Sequence, residues 1–160
     1  MRVLFLLLPI LFNCPPKTIS QNTAQPDILE IVTQIAKIDA LYAEDYEKYV
    51  SEKERLSYLK GKVSNYEISP DSDVIELRKK LSQTWRSESY RDYQFASSGV
   101  VYRVVDEEKT INSEWELVGN KLKRSRPEHD QEWTETIVYI DSKYLLLKSA
   151  SGAVVFYSKI

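Results

Sequence analysis

"EWELVGNKLKR", residues 114–124, decides the fold. Trp115 and Leu117 alternate with Glu114 and Glu116, Gly119-Asn120 follows, and Leu122 then falls between Lys121 and Lys123. A period of two is the pattern of a half-buried strand, and Gly-Asn tolerates the positive φ angles of a two-residue hairpin. The stretch predicts two antiparallel strands with Trp115, Leu117 and Leu122 on one face and the glutamates on the other.

The same rhythm runs through the carboxyl half. Short alternating runs rich in Val, Tyr, Trp and Thr predict strands near 84–89, 92–96, 100–105, 113–118, 121–126, 132–140, 143–149 and 153–158, with "DEEKTIN" and "RPEHDQ" among the turns. Alternation assigns Val100, Tyr102 and Val104, then Trp115, Leu117, Leu122, Leu145 and Leu147, to an inner face. Arg103, Glu114, Glu116 and Lys148 take the other. Consecutive hairpins with one apolar face are satisfied by an up-and-down sheet that curls and closes, which removes its edges. A strongly coiled open sheet is the alternative.

Upstream the period changes. Ile28, Ile31, Ile35, Ile38, Tyr42, Tyr49, Leu56, Leu59 and Val63 recur at three- and four-residue steps, which predicts one amphipathic helix from about 28 to 60. Asp27 is its expected N-cap, Glu30 the capping-box partner and Gly61 its stop. Tyr42, Tyr46 and Tyr49 form a stripe on one flank, either a partner-binding surface or ordinary amphipathic packing. A short helix over 72–82, capped by Asp71 or Ser72, carries the chain to Trp85. The fold class is therefore α+β: a helical region at 27–82 and a small antiparallel β-meander or up-and-down barrel at 83–160.

The amino end reads differently again. "LLLPILFNCPPK", residues 6–17, runs apolar and then meets the chain's single cysteine. Val3 to Phe12 has the length of a secretory apolar region and is well short of the roughly 20 residues that cross a bilayer as a helix. Leu11-Phe12-Asn13-Cys14 resembles the looser lipobox of spirochaete and some other bacterial lipoproteins. That resemblance implies a signal peptide at 1–13, removal before Cys14 and acylation of its thiol. Residues 14–26, with prolines at 15, 16 and 26, then form a flexible tether. Lys17, with proline and not aspartate at position 15, implies delivery to the outer membrane by the sorting logic of such lipoproteins. Several acyl chains hold a protein to a bilayer where one chain binds only marginally.

The 160 residues amount to about one domain. With 22 Lys+Arg against 24 Asp+Glu the formal charge is −2, so no basic field is available for nucleic acid. Catalysis is not expected. His129 sits in a charged turn, Glu114 and Glu116 point outward, and Glu132 and Glu135 lie on another strand. The basic run "KLKRSRP", 121–127, is read as the exposed side of a hairpin. One histidine and a lipidated cysteine leave no expected metal or cofactor site.

From Leu81 onward, "LSQTWRSE" at 81–88, "YQFASSGVV" at 93–101, "EWELVGNKLK" at 114–123 and "YIDSKYLLLKSASGAVVFYSK" at 139–159 resemble the bacterial lipocalin-like domains. That resemblance implies a barrel and an apolar ligand within it. Strands of six to eight residues make a shallow cup, however, which Tyr102, Trp115 and either Trp133 or Tyr139 can fill. Two expectations follow. One is a lipid-anchored envelope protein whose helix and barrel exterior bind envelope or host proteins; the other is a binder of a small apolar ligand, lined by the inner-face residues above.

Overall fold

The computed structural model describes residues 28–160, so Cys14, the tether and Asp27 lie outside the described residues. Three helices precede eight strands: α1 (Ile28–Glu44), α2 (Tyr46–Val63), α3 (Val74–Leu81), β1 (Thr84–Ser87), β2 (Asp92–Phe95), β3 (Val100–Val105), β4 (Glu108–Val118), β5 (Lys121–Arg126), β6 (Gln131–Ile140), β7 (Tyr144–Lys148) and β8 (Val154–Lys159).

The single helix expected over 28–60 is two. Asp45 interrupts it, with its carboxylate accepting from the Lys48 N–H at 3.0 Å as the N-cap of α2. An aspartate that bonds nearby backbone competes with helix continuation, and here it starts a new helix in a new direction. The two helices fold back on one another, and Arg55 of α2 reaches Gln34 of α1 at 3.1 Å. α2 also runs through Gly61 to Val63, where Ser64 caps it.

All neighbouring strands pair antiparallel in chain order, and β8 returns to β1 through Trp85↔Lys159, Arg86↔Ser158 and Ser87↔Tyr157. The sheet is thus closed and edgeless. Its inner core gathers Trp85, Phe95, Val101, Trp115, Leu122, Ile137, Leu145, Leu147 and Tyr157. Leu77 and Leu81 of α3 join that core. The indoles are satisfied there: Trp85 Nε1 donates to the Leu81 carbonyl at 2.9 Å and Trp115 Nε1 to the Ala96 carbonyl at 3.0 Å.

A second core lies outside the barrel wall. Ile31, Val32, Ile35 and Ile38 of α1 and Leu56, Leu59 and Val63 of α2 pack on Val138, Leu146, Val154 and Phe156. This is why "YLLLK" and "VVFYSK" are apolar in both phases: each strand buries both faces, one against the barrel interior and one against the helical hairpin.

Two details of the sheet differ from the sequence reading. β4 begins at Glu108, because the turn before it is only Asp106-Glu107, with φ angles of 49° and 68°. On β3 the inner residue is Val101, paired with Phe95 and Ser113, whereas Val100, Tyr102 and Val104 are half-buried on the opposite face. "VVYRVV" is apolar in either phase, and Arg103 made the true inner phase look wet. Arg103 pairs with Tyr93 toward the strand's end and is exposed there.

At the other end of the barrel, Gly119 is fixed by two constraints. Its φ is 58°, and a Cβ there would lie 2.8 Å from the Pro70 carbonyl oxygen. Asn120 Nδ2 donates to the Ile68 carbonyl at 2.8 Å, tying the α2–α3 linker across that end.

Candidate functional site at the seam of hairpin and barrel

Large buried side chains make up the inner core of the barrel. Of the predicted lining residues, Trp115, Leu122, Leu145 and Leu147 are buried in the inner core, Leu117 packs against it, and Val100, Tyr102 and Val104 do not face it. Beside them lies a buried ion pair that the sequence reading did not foresee, Arg124 with Glu135 at 3.4 Å. Arg124 also donates to Ser113 Oγ and to Asn112 Oδ1, and its guanidinium stands 4.9 Å from the Trp133 ring centre and 5.5 Å from that of Phe95. The signal was present in "KLKRSR": once Leu122 points inward, a period of two turns Arg124 inward as well. Only part of the basic run is therefore an exposed face. Burial and the nearby Glu135 charge push the Tyr157 phenol far up, so it stays neutral.

Glu114, Glu116 and Glu132 are exposed on the outer wall, where Glu116 pairs with Lys123 at 3.3 Å. His129 is exposed in its turn beside Glu128. Among the described residues there is no group of three or more His, Cys, Asp or Glu placed to hold a metal ion, and no helix long and apolar enough to cross a membrane.

The predicted tyrosine stripe is a connected cluster. Tyr42 meets Tyr46 edge-on at 5.5 Å and Tyr49 edge-on at 5.2 Å. Tyr42 also stacks at 4.8 Å on Tyr90, from the β1–β2 turn, a contact no helical periodicity could reveal. Tyr46 is 57% exposed and Tyr42 41%, while Tyr49 packs against the outer core. The stripe is therefore both things at once, packing at Tyr49 and open surface at Tyr46 and Tyr42. Tyr90 holds a φ of 56°, a strained conformation for a bulky residue, at a cost of about 1–3 kcal/mol.

Beneath the tyrosines, α1, α2 and the β1–β2 turn enclose a group of charges. Lys60 of α2 is ion-paired with Glu88, and Arg86 grips Asp92 through two bonds of 2.8 and 2.9 Å. Asp39 of α1 is only 8% exposed, and its Oδ1 has no hydrogen-bond partner. Burial, reinforced by Glu88 and opposed by Lys60, pushes its carboxyl up to about 6. Beside it a cleft of about 370 Å³ runs between α1 and the barrel, lined by Asp39, Ala40, Ala43, Tyr90, Tyr144 and Phe156 among others. Asp39 follows Val32 and Ile35 at helical spacing, so an acid on the apolar face was the available signal.

Comparison of the chain with protein-family models, with curated proteins and with solved structures finds no match.

Proposed function

We propose that this is a non-catalytic envelope lipoprotein, held at a bacterial outer membrane through acylated Cys14, whose barrel is lipocalin-like in architecture and serves as a scaffold. The helical hairpin then presents Tyr42 and Tyr46, backed by Tyr49 and Tyr90, to a protein partner. The observation that carries this reading is the contrast between a barrel core of large buried side chains and an exposed, mutually stacked tyrosine cluster on its shoulder. Tyrosine suits such a surface because its ring buries area at low entropic cost while its hydroxyl keeps a polar partner. A ligand of lipocalin type inside the barrel would have to displace Trp85, Phe95 and Trp115, which are among its buried residues.

Two measurements on the full chain test the proposal. Cys14→Ala should move the protein from the membrane to the soluble fraction, and the membrane-extracted parent should carry the added mass of acyl chains. A photo-crosslinking residue at position 46 should give one discrete protein adduct in envelope membranes, and one at exposed position 111 on the barrel wall should give none. Unchanged membrane partition would sink the anchoring, and equal adducts from both positions would sink the tyrosine surface.

A further inference from the structure

We propose that the cleft between α1 and the barrel binds a small organic cation, an ammonium group on a short apolar body seated against Asp39 and the rings of Tyr90, Tyr144 and Phe156. This goes beyond the protein-partner reading and does not rest on it.

The shape comes from the helix. Ala36, Ala40 and Ala43 succeed one another at roughly one-turn spacing on α1, and their small side chains leave the space that Tyr90, Tyr144 and Phe156 close from the other side. Tyr144 and Phe156 lean together at 5.7 Å between ring centres. At about 370 Å³ the cleft reaches the lower end of the size range of ligand sites, which are largely apolar with a few convergent polar groups.

Charge fixes the class of ligand. Asp39 interacts with Tyr49 and Lys60 on α2 and with Glu88 and Tyr90 in the β1–β2 turn, while Tyr42 and Glu44 on α1 and Arg86 on β1 stand around the same cleft or its tyrosines. With Asp92, the partner of Arg86, the seam holds four acids in Asp39, Glu44, Glu88 and Asp92 against two bases in Lys60 and Arg86. Both bases are already committed, one to Glu88 and one to Asp92. Asp39 feels the Lys60 charge, but its Oδ1 has no hydrogen-bond partner and it forms no ion pair with Lys60, and a bound cation supplies one. The rings of Tyr144 and Phe156 favour the same guest, because a negative π-surface attracts ammonium groups, whereas the Tyr90 ring is already stacked on Tyr42 and has the Arg86 guanidinium 5.9 Å from its centre. An anion would meet uncompensated carboxylates, and a neutral apolar guest would leave the Asp39 charge unanswered.

Proton and cation therefore compete. With Asp39 titrating near 6, the carboxylate is mostly ionised at pH 7.5 and about one-tenth ionised at pH 5, so apparent affinity falls about tenfold between them.

The test is calorimetric titration of the purified full-length chain with butyltrimethylammonium, with 1-butanol and butyrate as neutral and anionic counterparts. Saturable one-to-one binding of the cation at pH 7.5 is expected, about tenfold weaker at pH 5, with none for the alcohol or the acid. Asp39→Asn should abolish it with the fold intact by circular dichroism. Ala40→Leu, which fills the cleft, should abolish it too, and Tyr46→Ala, outside the cleft, should leave it unchanged. A short-chain phosphatidylcholine below its micelle concentration separates sources: binding of both probes makes a lipid headgroup the guest, and binding of the simple cation alone makes it a free amine. Absence of saturable binding, equal binding of 1-butanol, or binding that survives Asp39→Asn overturns the proposal. Loss of the adduct at position 46 would leave it standing.

Discussion

Asp39 is the residue on which stability and site chemistry meet. Its carboxyl titrates at about 6 in the fold against an ordinary value of 3.8, so the folded chain holds this proton more tightly than the unfolded one. The sign follows directly: the folded state is favoured below about pH 4, loses that advantage as pH rises through 4 to 6, and carries the full burden of a buried charge at pH 7 and above. A shift of about two units corresponds to on the order of 1–3 kcal/mol. Asp39→Asn should therefore stabilise the ligand-free protein by that order at pH 7.5, with little gain at pH 4, and flatten this part of the pH profile. Urea unfolding of parent and variant at the two pH values checks it, and a variant less stable at pH 7.5 would contradict the reading.

Between residue and molecule stand the elements, and here legibility was uneven for physical reasons. The hairpins of β4 and β5 were plain because Trp115, Leu117 and Leu122 alternate cleanly with charges around a Gly-Asn turn. β3 cannot be phased from sequence alone because valines occupy both faces, and only pairing with Phe95 and Ser113 chooses between them. The break at Asp45 was signalled by an acid on the helical seam, but periodicity alone reads through it, since a straight helix and a hairpin share the same apolar spacing. The docking of that hairpin was written in β7 and β8, whose runs are apolar on both faces and so need cover on the outside. Asp45→Ala should cost about 1 kcal/mol through the lost cap, and more if the hairpin undocks. Denaturant midpoints at pH 7.5 measure it; an unchanged midpoint would mean that the break is set by packing and not by the cap.

At the scale of the whole molecule, the two cores share one wall. β6, β7 and β8 give Ile137, Leu145, Leu147 and Tyr157 to the interior and Val138, Leu146, Val154 and Phe156 to the hairpin. The candidate seam was less visible in the sequence than the barrel because its members, Asp39 on α1, Lys60 on α2, and Glu88 and Tyr90 in the β1–β2 turn, meet only when the hairpin docks. The stripe of Tyr42, Tyr46 and Tyr49 was readable as a stripe; its stacking on Tyr90 was not. On the proposed reading, recognition belongs to the outside of this barrel and the buried cluster of its core is packing. Native mass spectrometry of the intact chain released gently from envelope membranes tests that most directly. Expected are a protein adduct that disappears in Tyr46→Ala while the fold is kept, and no apolar molecule held in the barrel. A stoichiometric lipid that persists in Tyr46→Ala and in Asp39→Asn, and is lost only when the inner core is altered at Leu122, would contradict it.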